Sequence, residues 1–159
     1  MRKPVKILEN YEETKEKALR ILEFRNHSEK EISRKLLQAG AKPDDIEKTI
    51  EFLKEYHLIN DEAYAKALAH DLQHLKKYGK NRIKSELYEK GISCDIVEEI
   101  MSTFSDDEDV LTELVRKRIK NDFDKKNKDK IMRYYIYRGY SADEIRNCIN
   151  SLEQEKNYD

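Results

Sequence analysis

The stretch Tyr78-Gly79-Lys80-Asn81-Arg82-Ile83-Lys84-Ser85-Glu86-Leu87-Tyr88-Glu89-Lys90-Gly91-Ile92 decides the fold. Ile83 and Leu87 stand four apart and so share one face of a helix. Gly91, four beyond Leu87, suits the left-handed position that closes a helix, and Gly79, twelve before Gly91, is an acceptable N-cap. The same grammar recurs from Ser28 to Gly40 and from Asn127 to Gly139, where Ser28 and Asn127 are start residues of a type favoured at N-caps. Measured from each glycine, hydrophobic residues fall at −8, −4, +6, +10 and +13 in all three copies. These are Ile32, Leu36, Ile46, Ile50 and Leu53, then Ile83, Leu87, Val97, Met101 and Phe104, then Ile131, Tyr135, Ile145, Ile149 and Leu152. The pattern predicts an all-α protein of three tandem three-helix repeats forming an elongated array, each unit completing its core against its neighbours.

Outward from that stretch, residues 1–12 read as an N-terminal arm holding Val5, Ile7 and Leu8. Repeat 1 occupies 13–57, repeat 2 occupies 58–105 and repeat 3 occupies 106–159. In the first, a helix from Glu13 to Arg25 turns Ala18, Leu19 and Leu22 inward. Ser28 and Glu31 then form a capping box, and Pro43 sits at the first position of a third helix. In the second, Asn60-Asp61 caps a long helix running to about Lys77 with Ala65, Leu68, Leu72 and Leu75 inward, and Ser93 caps the third helix. The acidic run Asp106 to Asp109 opens the last repeat, where negative charge favours a helix start. Val110, Leu111, Leu114, Val115 and Ile119 build its first helix, and Ser141 with Glu144 makes another capping box.

Charged residues are 41% of the chain against a usual figure of about 25%, and hydrophobic residues only 38%, so the core is a thin shared layer. The net charge of −1 hides strong segregation. Lysine plus arginine minus acids is +3 over 1–35, −4 over 36–62, +4 over 63–92, −8 over 93–114, +7 over 115–138 and −3 over 139–159. First and second helices of the later repeats are basic and third helices acidic, which in a stacked array gives one basic and one acidic surface. Cys94 and Cys148 form no CxxC pair, so no zinc site or disulfide framework is indicated, and reduced thiols in a cytoplasmic protein are expected. No apolar run has signal-peptide or membrane-spanning length.

His70 and His74 lie four apart, but no third ligand is evident and a solvated helix face is the better reading. The Asp106–Asp109 run lacks the spaced ligands and central glycine of a calcium loop. There is no phosphate-binding glycine loop, no nucleophile elbow and no acid–base constellation, so neither an enzyme nor a cofactor is expected. The basic clusters carry more. Cations interleaved with tyrosines suit a phosphate backbone and stacked bases. The candidate partner- or DNA-binding residues are Lys76, Lys77, Lys80, Arg82, Lys84, Arg116, Arg118, Lys120, Arg133 and Arg138.

The chain resembles the RecX family of bacterial regulatory proteins over about residues 15–155. The resemblance rests on Arg25-x-x-Ser28-x-x-Glu31 with Lys35-Leu36, Leu58-x-Asn60-Asp61-x-x-Tyr64-Ala65, and Tyr78-Gly79-x-x-Arg82-Ile83-x-x-x-Leu87. Lys90-Gly91-Ile92 and Arg138-Gly139-Tyr140-Ser141 with Ile145 continue it, while Tyr135 stands where the first two repeats have leucine. The resemblance implies three tandem three-helix repeats in a curved, elongated array, and a non-enzymatic modulator of the RecA recombinase. Such a protein binds the groove of the RecA filament on single-stranded DNA, inhibits strand exchange, ATPase and co-protease activities in DNA repair and the SOS response, and touches DNA weakly. A cytoplasmic monomer is expected. The competing expectation is an independent DNA-binding protein with no dependence on RecA; the acidic third helices speak against a groove-reading helix.

Overall fold

The computed structural model describes residues 6–105 and 107–158; Val5 of the arm and Asp106 of the acidic run lie outside them. Among the described residues the chain forms nine α-helices and no strand. They are α1 (Tyr11–Phe24), α2 (Glu29–Gln38), α3 (Pro43–Glu55), α4 (Asp61–His74), α5 (Lys80–Glu89), α6 (Cys94–Thr103), α7 (Glu108–Ile119), α8 (Lys125–Tyr137) and α9 (Ala142–Tyr158). Of the fifteen repeat positions only Ile46 and Phe104 are half-buried; the others are buried. Each large aliphatic side chain so buried is worth about 1.5–3 kcal/mol relative to exposure.

The helices gather into two compact bodies. One runs up to Leu68 and adds Leu87–Val97; the other is Ala69–Glu86 and everything from Glu98 onward. In the first body α1, α2 and α3 enclose Ala18, Ile32, Leu36, Ile50 and Leu53. The buried hydroxyls of Thr14 and Thr49 donate to the carbonyls of Asn10 and Asp45 one turn back, so neither is left unsatisfied. In the second body α7, α8 and α9 enclose Leu111, Val115, Ile119, Ile131, Tyr135, Ile145, Ile149 and Leu152.

Each body contains a joint of the same design, in which the start of one second helix meets the glycine turn that closes the next. In the first body the Ser28 hydroxyl accepts from the Glu31 amide at 3.1 Å and donates to the Lys90 carbonyl. Glu31 returns the capping box to the Ser28 amide at 3.0 Å and pairs with Arg25 at 3.2 Å and Lys90 at 3.4 Å. In the second body the Gly79 amide donates to the Arg138 carbonyl at 2.8 Å, and Asn81 donates to Gly139 at 3.0 Å. A Cβ on Gly79 would come 2.5 Å from the Gly139 carbonyl carbon. Gly139 itself is at φ +103, and a Cβ there would overlap the Arg82 backbone nitrogen. Only glycine fits both places. The front turn, Ala39-Gly40, is met instead by the arm: the Leu8 amide donates to the Ala39 carbonyl at 3.4 Å.

Three local expectations need correction. Leu75 is 75% exposed, because α4 ends at His74 and Lys77 turns left-handed at φ +56 before the inward stripe can continue. Asn127 is not an N-cap: α8 begins at Lys125, capped by Asp124, whose side chain accepts from the Asn127 amide at 2.8 Å. The Asn127 side chain instead donates to the carbonyls of Ile119 at 3.2 Å and Asp122 at 2.7 Å, tying the α7–α8 turn. The first helix starts at Tyr11, capped by Asn10, so it begins inside the stretch assigned to the arm.

A cationic groove between α7 and α8

All ten candidate binding residues belong to the second body, but they fall into different surroundings. A groove of about 490 Å³ opens between α7 and α8. From α8 it is lined by Asn127, Lys130, Ile131, Tyr134, Tyr135 and Arg138, the i, i+3, i+4, i+7, i+8 spacing of a single helix face. Leu114, Lys117 and Arg118 line it from α7, with Lys120 just beyond and Lys77 from the turn after α4. Six cations thus share one cavity with no acidic side chain in its wall.

Two of those lysines sit on backbone that non-glycine residues seldom adopt. Lys77 has φ +56 and Lys120 φ +51, with Asn121 next to it at +60. Such conformations cost free energy and persist where the surrounding structure enforces them. Here the Tyr140 hydroxyl donates to the Lys77 carbonyl at 2.8 Å, Arg138 donates to the Lys76 carbonyl, and Lys156 donates to the Asn121 carbonyl at 2.8 Å.

The guanidinium groups are ordered by tyrosine rings. Arg118 lies 3.5 Å from the Tyr134 ring centroid, and Arg138 lies 5.6 Å from Tyr134 and 5.1 Å from Tyr78. Arg82 continues the alternation at 5.5 Å from Tyr78 and 5.3 Å from Tyr137. Each such pair orients a cation over the negative face of an aromatic ring. Burial pushes the Tyr135 phenol above its ordinary pKa.

Compensation separates the groove from the remaining candidates. Arg116 pairs with Glu155 at 2.7 Å and Glu113 at 3.1 Å, Arg82 with Glu86 at 2.8 Å, and Lys84 with Glu98 at 3.0 Å. The buried Nε of Arg82 finds no acceptor among the described residues. Lys76, Lys80 and Arg133 are exposed but do not line the groove. By contrast, Lys77, Lys117, Arg118, Lys120, Lys130 and Arg138 form no ion pair among the described residues. The structure therefore brings together four candidates, Lys77, Arg118, Lys120 and Arg138, and adds Lys117 and Lys130. The latter two were legible as residues three or four away from Leu114 and Tyr134 on the same helix faces.

Fold and groove together define a class: an all-α protein of three-helix units that carries an uncompensated basic cleft lined with tyrosine. Family models for the first and second three-helix domains of RecX match residues 15–53 and 60–101. Regulatory protein RecX of Clostridioides difficile is 35% identical over 99% of this chain and 76% of its own length. The one from Clostridium perfringens strain 13 is 38% identical over 87% of this chain and 66% of its own. The crystal structure of RecX from Lactobacillus salivarius is similar at a TM-score of 0.76 and 26% identity, covering 91% of this chain and 97% of that one. A second RecX crystal structure, 20% identical with a TM-score of 0.68 over 91% and 73% of the two chains, shares the fold. The chain belongs to the RecX family of regulatory proteins. No described helix is long and apolar enough to cross a membrane.

Proposed function

We propose that the protein is a non-enzymatic regulator of the RecA recombinase. It docks on the RecA filament formed on single-stranded DNA and restrains the filament's recombinase, ATPase and co-protease activities. The observation that carries this reading is the gathering in one groove of six cations that form no ion pair among the described residues. Like charges held together without counter-ions oppose folding, and a polyanion or an acidic protein surface relieves them on binding. Lys77, Lys117, Arg118, Lys120, Lys130 and Arg138 form the centre of the docking face, with Lys76, Lys80, Arg82, Lys84, Arg116 and Arg133 around it. The three-helix divisions at 13–57, 58–105 and 106–159 are the repeats of the docking module.

The test is co-sedimentation of the protein with preformed RecA filaments, with naked single-stranded DNA as control. Lys117→Glu with Lys130→Glu is expected to abolish co-sedimentation and restore RecA ATPase, whereas Arg20→Gln on α1, outside the docking face and already paired with Glu16, changes little. Equal binding to naked DNA and to filaments would favour an independent DNA-binding protein. Undiminished restraint of the ATPase by the double variant would remove the groove from the docking face.

A further inference from the structure

The α7–α8 groove differs in kind from two other cavities of the described residues. The cavity of about 130 Å³ beside Cys148 is walled by Asp107, Glu108 and Glu144. The one of about 310 Å³ against α1 mixes Glu13 and Glu16 with its lysines. Both are unsuited to an anion. The α7–α8 groove, at about 490 Å³, is of the size that takes a small ligand, roughly 300–1,000 Å³, and its charged wall is wholly cationic.

We infer that this groove is a triphosphate site, which holds the linked phosphates of a free nucleoside triphosphate without reading its base. Charge density points to linked phosphates. A single strand lays down one charge per nucleotide, whereas a triphosphate concentrates several within reach of one cavity. Tyr134 points the same way. Arg118, 3.5 Å from the ring centroid, occupies the face on which a base would stack. The guanidinium is thereby held against the ring, and its planar N–H fork suits phosphate oxygens. Lys77, Lys117, Lys120 and Lys130 supply flexible point charges that adapt to whichever oxygens lie nearest. A triphosphate in the groove excludes the polyanion or acidic surface proposed above, so nucleotide and filament compete. The inference rests on that reading's groove and not on the identity of its partner.

Titration calorimetry on the full chain, with inorganic tripolyphosphate, ATP, GTP and oligodeoxythymidylate as probes, tests it. Tripolyphosphate, ATP and GTP are expected to bind within about threefold of one another, and each to weaken as salt rises. Lys117→Gln with Lys130→Gln should lower the affinity for all three by about tenfold or more, and Arg20→Gln, on α1 in the other body and already paired with Glu16, should leave it unchanged. Tyr134→Leu should weaken binding severalfold by freeing Arg118; Arg118→Gln serves if that variant does not fold. No binding of tripolyphosphate, a strong preference for one base, undiminished affinity in the double variant, or oligodeoxythymidylate bound without displacement by tripolyphosphate would each overturn the inference. Tripolyphosphate binding together with intact filament docking in the double variant would instead sink the docking proposal alone.

Discussion

Gly139 is held from two directions: its φ of +103 excludes side chains, and Arg82 fills the space where a Cβ would go. Gly139→Ala is therefore expected to cost about 2–3 kcal/mol in urea unfolding, strain and overlap together. Gly40→Ala meets the Ile7 Cγ2 at 3.0 Å, with the Ile7 Cα and Cβ at an ordinary 3.6 Å, and should cost less, about 1 kcal/mol, from its φ of +85. Glu31 sets a second residue-scale expectation. Burial alone would raise its carboxyl, but the Ser28 amide, the Arg25 guanidinium and Lys90 outweigh it and hold the group below the ordinary value of 4.5. A depressed carboxyl contributes stability that is complete above 4.5 and is lost as pH falls through the folded-state value. Acid titration of unfolding free energy should thus show a slope below pH 4.5 that Glu31→Gln flattens. At neutral pH that variant should cost about 1–3 kcal/mol.

Helices and turns were legible where a short pattern decides them and illegible where a distant partner does. Ile83, Leu87 and Gly91 announced α5 and its end, and Ser28 with Glu31 announced the start of α2. Leu75 was misread because nothing in the apolar spacing says that α4 stops one residue earlier. The cation-rich α8 was visible as a charge count, but the first helices of the later repeats are not basic as expected. α4 sets Asp61, Glu62 and Asp71 against Lys66, and α7 balances three acids with three cations, all in its last turn. Which cations remain free was not visible, because Arg116 finds Glu155 39 residues away and Lys84 finds Glu98 14 away. That free set makes a prediction for α7 and α8. Screening falls off over about 10 Å at 0.1 M salt, so raising salt should stabilise the second body by weakening repulsion among the groove lysines. In Lys117→Gln with Lys130→Gln the melting temperature should depend less on salt. The joint makes another: Gly79 and Asn81, first-turn amides that would ordinarily exchange quickly, donate to Arg138 and Gly139. Their hydrogen exchange should be slowed to the rate of the surrounding helices, and lost protection in Gly139→Ala would tie it to the joint.

At the scale of the whole molecule, the compact bodies do not follow the sequence repeats. Residues expected to form the middle repeat are divided, with Ala69–Glu86 counted alongside α7, α8 and α9. The joint explains the grouping: Gly79 and Arg82 are bound to Arg138 and Gly139, as Ser28 and Glu31 are bound to Lys90. All six groove cations fall in one body, so a lesion in the other is expected to leave the groove's anion affinity unchanged. Ile32→Ala, which opens a cavity beneath α2, should lower thermal stability by about 2–5 kcal/mol while tripolyphosphate titration of the folded protein stays the same.

The fastening at Gly79 and Gly139 is made by main-chain amides and carbonyls, and those groups are common to every amino acid but proline. That clasp itself asks only for glycine at two positions, whereas the bonds beside it, from the Arg138 and Tyr140 side chains to the carbonyls of Lys76 and Lys77, ask for particular residues. The outer surfaces of the helices on either side can be rewritten without loosening the fastening, as long as both glycines and those two side chains stay.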